Sequence, residues 1–104
     1  LLTPRALTQL LGYLYRLPES SLWLSLLPAA GADGTLKGRL NEAGARVRAK
    51  TGSMNRINAL AGYAVNSAGE TLAFAVMANN FSAPAAEIRS IIDKIVLLTL
   101  EGDK

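Results

Sequence analysis

Apolar positions along this chain change period twice, from helical spacing to strict alternation and back. Leu7, Leu10, Leu11 and Leu14 recur on one helical face. Thr3 suits the cap of that helix, with Pro4 at the first position, where a missing N–H costs nothing. The helix should stop before Pro18, because the residue ahead of a proline is driven out of the helical region. A second, short helix follows, with Ser20 or Ser21 as cap, Leu22, Trp23, Leu26 and Leu27 as apolar positions, and Pro28 as its stop. Trp23 sits among leucines and reads as core.

From Ala29 to Leu40 the periodicity is lost. Gly31, Asp33 and Gly34 instead have the composition of a structured turn, for which a hairpin-type bend at Asp33-Gly34 is the plainest reading. Alternation then takes over. Residues 46–53 place Arg46, Arg48 and Lys50 on one face and Val47, Ala49, Thr51 and Ser53 on the other. Residues 57–65 form a second strand, Asn66-Ser67-Ala68-Gly69 a turn, and residues 71–79 a third strand. That last strand divides into a large face (Leu72, Phe74, Val76, Ala78) and a small one (Ala73, Ala75, Met77). The large face needs a core and the small face needs a closely packed helix. Short connections make the three strands antiparallel neighbours.

Ser82, with Pro84 in the first turn, opens a final helix whose expected stripe is Ile88, Ile91, Ile92, Ile95 and Leu98, with Gly102 at the stop. The order helix, helix, loop, three strands, helix predicts an α+β fold. Its three-stranded antiparallel sheet carries N-terminal helices and a C-terminal helix, in one unit spanning residues 1–104.

Composition narrows the chemistry. The 104 residues are 50% hydrophobic and 18% charged, which favours a packed core over disorder. The opening Leu1-Leu2-Thr3-Pro4 has neither Met nor a basic leader, so a piece of a longer or processed chain is expected. No apolar run approaches the roughly 18 residues of a membrane span, so no transmembrane segment is expected. Without Cys or His, the chain cannot supply a thiol, a disulfide, an imidazole base or a Ser-His-Asp triad. No cofactor is implied.

Net charge is only +3, yet Lys37, Arg39, Arg46, Arg48, Lys50 and Arg56 fall in one window that holds a single acid, Glu42. Such a cluster suits an anionic partner, although solvated strand charges are the commoner explanation. Arg48 in particular reads as a solvated charge.

The chemically suggestive stretch is Lys50-Thr51-Gly52-Ser53, at the end of the first strand. An outward N–H there can pair with an extended peptide, and Gly52 leaves room for close approach. Thr51 and Ser53 lie two apart, so both hydroxyls project to one side, with the Lys50 charge nearby. The set suits a carboxylate. The Ser53 N–H could also donate to an oxyanion on an attacked carbonyl, worth roughly 3 kcal/mol in a dry site.

With Leu60-Ala61-Gly62-Tyr63 on the second strand, and Gly69 and Leu72-Ala73-Phe74-Ala75-Val76 on the third, this stretch resembles the C-terminal part of penicillin-recognising serine enzymes. Their three motifs are Ser-x-x-Lys, Ser-x-Asn and Lys-Thr-Gly. Gly31-Ala32-Asp33-Gly34-Thr35-Leu36, and Thr3-Pro4 before a Leu-rich helix, narrow the resemblance to the D-alanyl-D-alanine carboxypeptidase/endopeptidase family, the class C low-molecular-mass penicillin-binding proteins. The resemblance covers nearly the whole chain and implies the penicillin-binding, serine β-lactamase-like transpeptidase fold.

It further implies that Lys50 maintains the electrostatics around the nucleophile and attracts the terminal carboxylate of a D-alanyl-D-alanine stem peptide. Thr51 and Ser53 would bind that carboxylate, the Ser53 N–H would donate to the oxyanion, and Gly52 would give access. Lys50 and Ser53 are thus the catalytic candidates, and Lys50, Thr51, Gly52 and Ser53 the substrate-binding set. Asp33, Gly34, Thr35 and Leu36 would form a structural loop near the site.

The pattern departs from the family at one point: no Ser-x-x-Lys occurs, and Ser53-Met54-Asn55 overlaps Lys-Thr-Gly and so cannot serve as the separate second motif. The resemblance therefore implies that the acylating serine, its lysine and the middle motif lie in an N-terminal remainder of the enzyme, and that this chain alone is inactive. Implied partners are peptidoglycan peptides and β-lactam inhibitors, and the implied location is the periplasm or cell envelope. Two other readings compete. A serine β-lactamase shares Lys-Thr-Gly but would not be expected to show the Asp-Gly-Thr-Leu block. A non-enzymatic module binding nucleic acid or another anionic polymer would use the basic strand, which lacks the interleaved aromatics such a surface favours.

Overall fold

A computed structural model describes residues 3–32, 36, 38–41, 43–54, 57–79 and 82–101, with the side chains of Ala45, Ser53 and Met54 outside that description. Helix α1 (Pro4–Tyr15) begins as expected, the Ala6 N–H donating to Thr3 Oγ1 at 3.0 Å. Helix α2 (Ser20–Ser25) starts differently. Its cap is Glu19, with no side-chain capping bond, so neither Ser20 nor Ser21 plays that part. Both serines already lie inside the helix, because a tight turn from Leu17 brings the chain into it one residue early.

Strands β1 (Val47–Met54), β2 (Ile57–Val65) and β3 (Thr71–Asn79) form an antiparallel sheet in the order β1-β2-β3. Ser53 pairs with Asn58 across the first ladder, and Leu60 with Val76 across the second. The β2–β3 turn is organised by buried Asn66, whose Oδ1 accepts from the N–H groups of Ala68 (3.0 Å) and Glu70 (2.9 Å). Gly69 supplies the left-handed residue there, at φ 83°. Helix α3 (Ala85–Leu100) returns to this turn, where the Ser67 N–H donates to the Leu100 carbonyl at 2.7 Å.

The alternation of the strands sorts side chains onto two covered faces. On one, Val47, Ala49, Leu60, Ala64 and Phe74 pack against Ile92, Val96 and Leu100 of α3, with Ala30, Leu36, Leu40 and Ala43 closing the end. Burying Val47, Leu60, Ile92 and Val96 contributes roughly 1.5–3 kcal/mol each. On the other face, Tyr63 and Ala61 meet Leu11, Leu27, Leu7, Trp23 and Leu24, so α1 and α2 cover the side that carries the small residues of β3. Tyr63 is the pin of this second layer: its hydroxyl donates to the Leu11 carbonyl at 2.5 Å and accepts from Trp23 Nε1 at 2.9 Å. Trp23 is therefore a packing residue, as its leucine neighbours suggested.

Two expectations about α3 need correction. Pro84 is its cap rather than a first-turn residue, and the cap makes no side-chain bond, so Ser82 does not fill that role. The buried stripe is Ile92, Val96 and Leu100, whereas Ile91, Ile95 and Leu98 are exposed by 49%, 42% and 71%. The helix is apolar over two adjoining flanks, and spacing alone cannot say which flank meets the sheet. Gly102 lies outside the described residues.

Candidate functional site

The site develops from the way β1 is edged. In the sheet order β1 is an outer strand, yet the first half of its free edge is covered. Ala29 bridges Arg48, the Ala30 N–H donates to the Val47 carbonyl at 2.9 Å, and the Ala49 N–H donates to the Pro28 carbonyl at 3.0 Å. The Arg48 guanidinium adds a third tie, Nη1 donating to the Leu27 carbonyl at 3.0 Å. Arg48 is thus half-buried and structural rather than a solvated strand charge. No periodicity marks a three-residue extended segment such as Pro28-Ala29-Ala30, which is why its pairing with β1 escapes a sequence reading.

These bonds fix the facing of the rest of the strand. Val47 and Ala49 direct their peptide groups outward, and alternation along a β-strand gives Thr51 and Ser53 the same outward facing. The Ser53 N–H therefore points away from β2, as an oxyanion donor or strand-pairing donor requires. Its hydroxyl lies outside the described atoms. Thr51 is half-buried on the α3 face, while Lys50 is exposed on the opposite side. The Lys50 ammonium turns to the edge and donates to the Thr51 carbonyl at 3.0 Å. Lys50 and Thr51 are thus brought together at the outer edge from opposite faces, with Ser53 next along it.

Gly52 is exposed, and a Cβ there would sit 3.8 Å from Ala59 Cβ, an ordinary contact. Nothing within the described chain forbids a side chain at this position, so a need for glycine would come from a ligand. Gly62 is the opposite case. Its Cβ would overlap the Arg48 carbonyl and approach Ala49 Cα to 2.5 Å, so β2 can pass β1 there only as glycine. Beside Lys50, Thr51 and Gly52 runs an apolar groove of about 310 Å³, floored by Ala59, Ala61 and Met77 and walled by Leu7, Leu10, Leu14, Trp23 and Leu27.

The rest of the basic cluster is largely engaged internally. Arg39 forms a two-point ion pair with Asp93 (Nη2–Oδ1 2.5 Å, Nε–Oδ2 3.1 Å), and Arg46 Nε donates to the Val65 carbonyl at 3.0 Å. With Arg48 also bonded, three of the six cations hold the fold, which weakens the case for a polyanion surface. Lys37 and Arg56 lie outside the described residues, as do Asp33, Gly34 and Thr35. Leu36 is fully buried, and its carbonyl accepts from the Gly31 N–H at 3.0 Å, so it is structural. Among the described residues no group of acidic, His or Cys side chains could hold a metal, and no helix is long and apolar enough to cross a membrane.

Known proteins place this geometry. The D-alanyl-D-alanine carboxypeptidase of Actinomadura sp. is 38% identical over 92 residues, covering 82% of this chain and 17% of that protein. The D-alanyl-D-alanine carboxypeptidase DacB of Haemophilus influenzae is 33% identical over 86 residues, covering 79% of this chain and 18% of its own length. The chain thus spans less than a fifth of either relative. Penicillin binding protein 4 (dacB) of Haemophilus influenzae, in a crystal structure with a β-lactam, superposes with a TM-score of 0.83 at 25% identity, over 96% of this chain and 26% of that one. A family model described as D-Ala-D-Ala carboxypeptidase 3 (S13) matches residues 1–101. The chain belongs to the D-Ala-D-Ala carboxypeptidase 3 (S13) family.

Proposed function

We propose that residues 1–104 are the C-terminal segment of the penicillin-binding domain of a serine-type D-Ala-D-Ala carboxypeptidase, and that they supply its substrate-docking and oxyanion side. The observation that carries this reading is the outward facing that strand alternation gives the Ser53 N–H, past the Ala29–Arg48 bridge on the same edge. A peptide lying along residues 50–53 would receive the Ser53 N–H at its scissile carbonyl. Its terminal carboxylate would meet the Lys50 ammonium and the Thr51 and Ser53 hydroxyls. A serine in the remainder of the enzyme attacks the carbonyl, the tetrahedral oxyanion collapses with loss of the terminal D-alanine, and water releases the acyl group.

The described residues offer no nucleophile with an adjacent base, consistent with chemistry supplied from elsewhere. Several large apolar side chains also stand uncovered, including Leu10, Leu26, Ile57, Ile91 and Leu98, as expected where further protein packs. Peptidoglycan stem peptides are the proposed substrate, β-lactams the proposed inhibitors, and the periplasm or cell envelope the proposed location. Fluorescent penicillin tests the reading: the complete enzyme should be labelled covalently and the isolated 104-residue chain should not. Labelling of the chain alone would show that it contains a nucleophile, and absence of labelling in the complete enzyme would exclude the activity.

A further inference from the structure

We propose that the end of the sheet carrying Arg46, Val65 and Thr71 holds a second binding site, for a small oxyanion, a carboxylate or phosphate, borne on a ring. The site goes beyond the function proposed above and uses none of residues 50–53. Its floor follows from strand register: Arg48, Tyr63 and Ala73 are cross-strand neighbours, and Val65 pairs with Thr71 further along. Alternation then sets Arg46 beside Arg48, Val65 beside Tyr63 and Thr71 beside Ala73, all on the face that α1 and α2 cover.

Helix α1 ends at Tyr15 and leaves this corner partly open. The Tyr15 ring lies 5.5 Å from that of Tyr63, tilted by 40°, and Tyr15 is still 41% exposed. Two cavities of about 200 and 210 Å³ have Tyr15, Tyr63 and Thr71 in common; Arg16 lines the first, and Arg46 and Arg48 line the second. Among the described residues no acid lines either one. Glu70, next to Thr71, is engaged in the β2–β3 turn, where it accepts from Asn66 Nδ2 at 2.9 Å. Arg46 and Arg48 each commit one nitrogen to a backbone carbonyl, and a guanidinium has five N–H groups, so donors remain on both. The Arg16 side chain bonds to no described residue, and its Nη1 lies over Gly12, where a Cβ would approach it to 3.4 Å. The C-terminus of α1 contributes roughly half a negative charge, which the three guanidinium charges outweigh. Guanidinium forks match the oxygens of carboxylate and phosphate, and the Tyr15 ring offers a face to a ring carried beside them. Each cavity is smaller than the roughly 300 Å³ at which drug-sized sites begin, so a single oxyanion fits this corner better than a polyanion.

Calorimetric titration of the complete enzyme with phenyl phosphate, benzoate, inorganic phosphate and benzyl alcohol tests the site. Phenyl phosphate or benzoate should bind about 10-fold or more tightly than inorganic phosphate, because the ring adds contact with Tyr15, and the tighter of the two identifies the oxyanion. Benzyl alcohol, which lacks the charge, should not bind measurably. Arg16→Gln, which breaks no bond among the described residues, should weaken the ring-bearing anion about fivefold or more. Tyr15→Leu should remove the advantage of the ring. Both effects should persist after the enzyme has reacted with penicillin, because the docking edge lies elsewhere. Absence of binding by either ring-bearing anion, or an affinity unchanged in Arg16→Gln, would overturn the site, and so would loss of binding on acylation. An enzyme that does not react with penicillin would overturn the proposed function, while the Arg16→Gln comparison would still decide the site.

Discussion

Residues 47–49 and residues 50–53 belong to one strand with one alternation, yet their surroundings differ at every side. In the first half, Val47 and Ala49 are fully buried, Pro28 and Ala30 cover the free edge, and Arg48 is tied to Leu27. In the second half, Lys50 and Gly52 are exposed, and strand alternation turns the peptide groups of Thr51 and Ser53 outward, past the Ala29–Arg48 bridge. A strand can therefore be anchored at one end and presented at the other without any change in its backbone pattern. The anchored half gives the presented half its rigidity, which a docking edge needs because the entropy of ordering it is lost on folding rather than on binding.

The contrast can be broken most severely from the anchored side. Gly62→Val places a side chain where the Arg48 carbonyl and Ala49 lie, and should cost about 3 kcal/mol or more of folding stability. Denaturant titration reads that loss, and a cost under about 1 kcal/mol would mean that β1 moves aside easily. Leu60→Ala, at the buried centre of β2, should cost about 3 kcal/mol through the lost transfer energy and the cavity left behind. Its midpoint in denaturant checks this.

Tyr63→Phe is subtler. It removes one hydroxyl that both accepts from Trp23 and donates to Leu11, leaving an indole N–H and a carbonyl to find other partners, and about 1–2 kcal/mol should be lost. A fall in near-ultraviolet dichroism from Trp23 should accompany it. At the small end, Gly52→Ala should change stability by less than about 1 kcal/mol, because the new methyl has open space beside Ala59. In the complete enzyme the same change should weaken acylation by β-lactams; an unaffected rate would remove Gly52 from the docking edge.

The periodic elements were legible in the sequence because their periods are enforced by burial. Thr3-Pro4 located the start of α1, alternation separated Val47 and Ala49 from Arg48 and Lys50, and the split of β3 into large and small faces anticipated a sheet covered on both sides. The misreadings fall where no period operates. Glu19 and Pro84 cap helices in place of Ser20, Ser21 and Ser82, because cap position depends on the chain's entry angle. The buried flank of α3 could not be chosen between two apolar flanks. The cover over the first half of β1 comes from a segment about 20 residues earlier, and the Arg48 tie to Leu27 spans the same gap. Such pairings are set by tertiary structure and leave no local pattern.

For the site, residue types and spacing pointed to residues 50–53, and the family match now extends over residues 1–101. What spacing could not supply was the direction of the peptide groups. That direction follows only from the bonds made by Val47 and Ala49.

The most direct test is the second-order acylation rate constant of the complete enzyme with a penicillin, compared between wild type and Lys50→Ala, with folding monitored by circular dichroism. If residues 50–53 are the docking edge, the variant keeps its spectrum and melting behaviour while acylation slows by about 100-fold or more, a barrier increase of about 2.7 kcal/mol. An acylation rate within about twofold of wild type, with the fold intact, would contradict the role given to Lys50 and to the edge it stands on.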